Sequence, residues 1–241
     1  MTSIHWLPEN SSPDSFPELR EALTDPDGLL AAGGDLSIER LLYAYEHGIF
    51  PWYSADQPIL WWSPDPRMVL YPDKVHIPKR LKRFLKKHPY ELRFDRAFRQ
   101  VIEACAQPRY PGDGTWIMPE MINAYCELHK NGHAHCLEIW RTDKEQEKLV
   151  GGIYGIAIGQ VFFGESMFSL EDNASKLAFI SLAKHLEHWG YQLLDAQVES
   201  DHLRTLGCEL IPRDAFSVIL DSACPVTMSH DWELIPEILV T

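Results

Sequence analysis

Several familiar signatures are missing from this chain of 241 residues. It has no G-x-x-x-x-G-K-[ST] phosphate loop, no G-x-G-x-x-G fingerprint, no H-E-x-x-H and no G-x-S-x-G elbow. That argues against P-loop hydrolysis, Rossmann-type dinucleotide binding, zincin chemistry and α/β-hydrolase chemistry. No run approaches the roughly 18 uninterrupted apolar residues that a spanning helix needs. The opening MTSIHWLPENSSPD lacks the basic and apolar regions of a secretory signal, so the cytoplasm is the expected compartment. Cysteine is sparse and odd in number: Cys105, Cys126, Cys136, Cys208 and Cys224, with no C-x-x-C. A disulfide framework and a thiolate zinc site are both disfavoured. Disorder is excluded as the main state by a hydrophobic share of 45% and eight tryptophans.

Positive charge is also scarce, with 22 Lys/Arg against 35 Asp/Glu and a net charge of −13. Its distribution is uneven. Between Lys74 and Arg99 lie ten basic residues and two acids, Glu91 and Asp95, while the other 215 residues carry a net −21. A basic island on an acidic body is a footprint for phosphate, and the acidic remainder limits non-specific binding.

The local patterns read as an α+β protein. Residues 1–28 look irregular. Gly33-Gly34 form a turn, and Asp35 or Ser37 caps a helix carrying Leu41, Leu42 and Tyr45, which ends at Gly48. Six prolines from Pro51 to Pro78 keep the next stretch extended. Helices follow at 79–88, 96–107 and 118–132. HCLEIWRT alternates like a strand, and LVGGIYGIAIGQVFFGESMF reads as two strands meeting at Gly159-Gln160. NASKLAFISLAKHLEHWG is a helix capped by Asn173 and stopped by Gly190; YQLLDAQVE is a strand, residues 201–206 a short helix, and FSVILD a last strand or helix. The C-terminal two thirds should hold a mixed or antiparallel sheet.

Two strands carry carboxylates where apolar residues belong. Glu165 shares parity with Val161 and Phe163; Asp195 and Gln197 share parity with Leu193. Such groups either sit half-exposed at strand ends and bond buried backbone, or they are functional. His129, His133 and His135 cluster, but no Cys, Asp or Glu completes a metal ligand set, and a helix end followed by a strand start accounts for them. Tryptophans in GIFPWYS, ILWWSPDPR and DGTWIMP fall in Pro/Gly-rich segments, where they either close the packing or stack on bases and grip an apolar side chain.

LLAAGGDLSIERLLYAYEHGIFPWYS, ILWWSPDPR, GTWI, GHAH, LVGGIYG, FFGESMFS, NASK and LLDAQV occur in this order from about Gly28 to Arg213. Together they resemble the leucyl/phenylalanyl-tRNA–protein transferase family. The resemblance implies transfer of Leu, Phe or sometimes Met from aminoacyl-tRNA to the N-terminal Arg or Lys of a protein, marking it for N-end-rule degradation. It implies a small N-terminal domain, residues 1–63, and a C-terminal domain, residues 64–241, similar to N-acetyltransferases (GNAT-like). No cofactor or metal is expected, since the aminoacyl ester is already activated. Against a cationic acceptor, Asp195 with Gln197 beside it on the strand is expected to orient the acceptor amine, and Glu165 to hold the aminoacyl amine or the acceptor's cationic group. The resemblance puts the transferred side chain against Met167, Phe179, Leu182 and Leu186, with Trp52 and Trp116 near the terminal adenosine and aminoacyl group. The helix of Lys79, Arg80, Lys82, Arg83, Lys86 and Lys87 is expected to meet the tRNA backbone. Either Asp195 or the tRNA 3′-hydroxyl takes the amine's proton, and removal of Asp195 should harm transfer more than folding. Two rivals stand beside this: a small-molecule acyltransferase using coenzyme A, disfavoured by the missing Q/R-x-x-G-x-G/A loop, and a non-catalytic RNA-binding adaptor, which would need the basic helix alone.

Overall fold

Proline and glycine punctuate the first quarter of the chain into short strands around one helix. The computed structural model describes residues 4–85, 89–108, 115–144 and 146–239. Strands β1 (His5–Leu7), β2 (Leu29–Gly33), β3 (Phe50–Pro51) and β4 (Leu60–Trp62) form one sheet in the order β1-β2-β4-β3, with β1 parallel to β2 and the other pairs antiparallel. An irregular reading of residues 1–28 misses β1, which is three residues long and too short for any period to show. Pro51 sits in an edge strand, where its missing N–H costs no ladder bond. Gly33 and Gly34 turn the chain with φ of +88° and +75°. Helix α1 (Ile38–Glu46) then starts at Ser37, whose side chain makes no capping bond. Asp35 does that work instead: its Oδ1 accepts the Ser37 N–H at 2.9 Å and its Oδ2 meets the buried Arg40.

The second sheet has seven strands: β5 (Arg67–Leu70), β6 (Tyr90–Phe94), β7 (Ala134–Asp143), β8 (Gln146–Ile158), β9 (Val161–Ser169), β10 (Leu193–Gln197) and β11 (Glu209–Ile211). Their order is β11-β5-β10-β9-β8-β7-β6, and only β9–β10 is parallel, so the sheet is mixed. The helices are α2 (Lys79–Leu85), α3 (Phe98–Cys105), α4 (Pro119–Lys130), α5 (Ala174–Trp189), α6 (Asp201–Arg204) and α7 (Arg213–Ala223). FSVILD is thus helical, its apolar positions Phe216 and Leu220 falling one turn apart. Residues 86–88, including Lys86 and Lys87, lie outside the described residues. Asn173 occupies the start of α5 with φ +64° and no side-chain capping bond; Ser169 Oγ accepts the Ser175 N–H at 3.2 Å. No helix among the described residues is long and apolar enough to cross a membrane.

Strand alternation sorts the core into two faces. Val69, Cys136, Tyr154, Ile156, Val161, Phe163 and Leu193 face α1, α3, α4 and the first sheet. Met68, Leu70, Leu137, Ile139, Ile153, Phe162 and Leu194 face α5 and Leu81 of α2. Gly151 is required where α5 approaches: a Cβ there would lie 2.6 Å from Ala174 Cβ. Trp61, which the sequence places among loop aromatics, is a core residue of β4 with its Nε1–H on Gly33 O at 2.9 Å.

Candidate active site

Three strand ends and two helices converge on a buried polar cluster. Arg67 opens β5 on the first-sheet side of the seven-stranded sheet, with no exposure to solvent. Its Nε and Nη2 donate to the two oxygens of Asp195 at 2.9 and 2.7 Å, and its Nη1 donates to Gly48 O at 3.1 Å. The guanidinium lies 4.7 Å from the ring centre of Phe50 and 4.8 Å from that of Phe216. A planar fork between two rings suits arginine and not lysine. Asp195 is equally sealed. Its Oδ1 also accepts the Gln197 N–H at 2.9 Å, which holds Gln197 in a left-handed conformation, φ +62°. Pairing with β5 shifts register there.

From that position Gln197 Nε2 donates to Glu165 Oε1 at 2.6 Å. β9 bulges at Glu165: Tyr154 pairs with Ser166 and Gly155 with Gly164, leaving Glu165 as the extra residue. Gly155 permits the bulge, since a Cβ there would fall 2.2 Å from Phe163 O. Glu165 Oε1 lies 2.7 Å from Tyr45 Oη of α1, Oε2 lies 3.0 Å from Tyr125 Oη of α4, and the two phenol oxygens are 2.5 Å apart. Burial pushes the Glu165 carboxyl up to about 7, against the hydrogen bonds from Tyr45, Tyr125 and Gln197 that favour its charged form, while the Asp195 charge pushes the same way as burial. Burial first, then the Glu165 charge, holds the Tyr45 and Tyr125 hydroxyls well above the ordinary range. The Tyr154 hydroxyl is buried beside Tyr125 with no partner among the described residues.

The structure therefore joins Glu165, Asp195 and Gln197 on one face, as their strand parity implies. It keeps Phe179, Leu182 and Leu186 on the opposite, α5 side, buried, with Met167 half-buried beside them. The bulge explains Met167: it reverses strand parity after Glu165. Trp116 is half-buried against the first-sheet core, and Trp52 is exposed with its ring 5.7 Å from Trp62. Lys79, Arg80, Lys82 and Arg83 are exposed on α2. Sequence reasoning misses Arg67, Tyr45 and Tyr125. A tyrosine on a helix's apolar face reads as core, and Arg67 shows only as the last residue of the SPDPR block. His129 and His135 are occupied with Ala134 O and Asp95 Oδ2, each at 2.7 Å.

Two family models match the chain: leucyl/phenylalanyl-tRNA protein transferase over residues 69–221, and the N-terminal domain of the same family over residues 34–65. A leucyl/phenylalanyl-tRNA–protein transferase of Azotobacter vinelandii is 54% identical over 90% of this chain and 95% of its own length. The chain belongs to the leucyl/phenylalanyl-tRNA–protein transferase family. A relative of that name from Pseudomonas syringae pv. syringae is 51% identical over 95% of this chain and 97% of its own length. The transferase is thus an aminoacyltransferase whose donor is an aminoacyl-tRNA and whose acceptor is a protein. The family's reaction places Leu or Phe on an N-terminal Arg or Lys, the mark read by the N-end rule. Among solved structures, FemX superposes with a TM-score of 0.48 at 11% identity, covering 76% of this chain and 71% of that one.

Proposed function

We propose that the transfer occurs where β9 and β10 part, with Glu165 and Gln197 facing the amine. The observation that carries this is the pairing of the two strands: it ends at Phe163–Asp195, while β9 runs on to Ser169. The end of that pairing sits beside the buried cluster on one face and Met167 on the other. The leucyl or phenylalanyl side chain, and on occasion a methionyl one, is assigned to Met167, Phe179, Leu182 and Leu186. The terminal adenosine and aminoacyl group are assigned to Trp52 and Trp116, the tRNA backbone to Lys79, Arg80, Lys82 and Arg83, with Lys86 and Lys87 as sequence assignments. Divergence of two parallel central strands also supports the GNAT-like reading of residues 64–241; residues 1–63 are assigned as the smaller part and the cytoplasm as the compartment.

The chemistry is attack of an N-terminal amine on an ester carbonyl. The C–N bond forms, the bond to the 3′-oxygen breaks, and the amine's proton ends on that oxygen. An N-terminal amine has a pKa of about 7.7–8.0, so a useful fraction is neutral without a strong base. Asp195 has both oxygens engaged and no exposed surface. This supports a positioning role for it, through Arg67 and Gln197, and favours the 3′-hydroxyl route for the proton. Positioning alone supplies up to about 7–11 kcal/mol of barrier reduction. The test is transfer of labelled Phe from Phe-tRNA to a peptide beginning with Arg. Transfer that survives in a Glu165→Ala, Gln197→Ala double variant would remove the assignment of this cluster.

A further inference from the structure

The oxygens of Tyr45, Tyr125 and Glu165 close a ring of three contacts, at 2.5, 2.7 and 3.0 Å. Each contact needs one proton. The two phenols bring two, and an ionised Glu165 brings none. With both hydroxyls turned to the carboxylate, the 2.5 Å Tyr45–Tyr125 contact sets lone pairs against each other. A third proton on Glu165 Oε2 removes the deficit. Glu165 then donates to Tyr125, Tyr125 to Tyr45, and Tyr45 to Oε1, which also accepts Gln197 Nε2–H. Every oxygen of the ring donates or accepts in one direction around it.

We infer that Glu165 is a neutral carboxylic acid in the empty enzyme, and that Tyr45 and Tyr125 are positioning residues that set when it ionises. The surroundings agree. Facing Glu165 are Tyr45 on α1, Tyr125 on α4, Tyr154 on β8, and Gln197 and Asp195 on β10, the last neutralised by Arg67 on β5. Among the described residues no cationic side chain bonds to Glu165. The ring itself is read from geometry; its consequence for substrate rests on the transfer reading above. A cationic group reaching Gln197 meets a neutral acid. It takes the carboxylate only as the proton leaves: carboxylic acid plus cation gives a carboxylate–cation pair and one proton released to solvent. Recognition of the amine-bearing substrate is then linked to pH through this ring.

The experiment is infrared difference spectroscopy of the ligand-free full chain, wild type minus Glu165→Gln, across pH. Glutamine preserves the ring, accepting from Tyr45 at its oxygen and donating to Tyr125 from its amide. A carboxylic-acid C=O band present below neutral pH in the wild type and missing in Glu165→Gln is expected. In a Tyr45→Phe, Tyr125→Phe double variant both the phenol–phenol contact that calls for the third proton and the carboxylate's two donors are gone, so the midpoint of that band moves by about one pH unit or more. A merely structural role for the tyrosines would not move it. Absence of the band, or a midpoint unmoved in the folded double variant, overturns the inference. The same preparations are assayed with Phe-tRNA and an Arg-initiated peptide. Wild type with the band but no transfer keeps the proton and removes the transfer reading; transfer without the band removes the proton alone.

Discussion

A guanidinium and a carboxylate withdrawn from water are each expensive, and the pair is tolerable only while both are present. Arg67 and Asp195 are such a pair. Asp195→Ala should therefore cost about 3–5 kcal/mol of stability, because Arg67 stays buried without its partner. Removal of Asp195 is thus a cost to folding as well as to transfer. Arg67→Met combined with Asp195→Leu should regain most of the thermal stability in calorimetry while leaving transfer impaired; full transfer in that double variant would confine the pair to a packing role. Glu165 makes a prediction of opposite sign. Folding raises its pKa to about 7, above the roughly 4.3 of a free glutamate, so the folded state holds the proton more tightly. Its contribution is whole below the unfolded value and is lost as pH rises through about 7. Relative to Glu165→Gln, the wild type should lose up to about 3 kcal/mol between pH of about 5 and about 8, seen as a melting temperature that falls only in the wild type. Glu165 and Asp195 were legible in the sequence as carboxylates on core strands. Their partners were not, because Arg67 lies 128 positions from Asp195 and Tyr45 lies 120 from Glu165.

At the scale of elements, period and punctuation located the long helices and the β7–β9 meander. They could not locate β11, three residues long, or the bulge in β9, which depends on a glycine in the neighbouring strand. Gly155 is the sharp test of that bulge. Gly155→Ala would drive a methyl into Phe163 O, so the chain must either close the bulge or part the strands. A destabilisation of about 2–4 kcal/mol is expected, together with impaired transfer, since closing the bulge shifts the register after Glu165 and turns Met167 to the other face. Helix α2 makes an electrostatic prediction. Its exposed cations stand against a body of strongly negative charge, and phosphate contacts position without reading sequence. Arg80→Glu with Arg83→Glu should weaken Leu-tRNA and Phe-tRNA alike. It should also flatten the salt dependence, by roughly 0.7–0.9 in log–log slope for each phosphate no longer neutralised. Transfer should largely return at saturating tRNA. Unchanged affinity and unchanged slope would make α2 a solvated surface.

For the molecule as a whole, the question is whether the two sheets are independent. A boundary near residue 63 follows the sequence texture, and the strands respect it, since the first sheet is complete by Trp62 and the second begins at Arg67. The core does not. Leu41, Tyr45, Phe50 and Trp61 are buried in one cluster with Val69, Tyr154, Phe163, Leu193 and Phe216. Burying side chains of this size is worth about 1.5–3 kcal/mol each, so either part alone would expose a face whose cover it cannot replace. The polar cluster crosses the same line, through Tyr45 to Glu165 and through Arg67 to Gly48. Composition and spacing cannot report such sharing, because a boundary in the chain is a local property and a core is not. The full chain should accordingly unfold in one calorimetric transition, its calorimetric and van't Hoff enthalpies agreeing. A fragment of residues 64–241 should bind a hydrophobic dye and lack a cooperative transition. A fragment that melts cooperatively near the temperature of the full chain would show instead that the Tyr45 and Arg67 contacts are docking contacts between two units that fold alone.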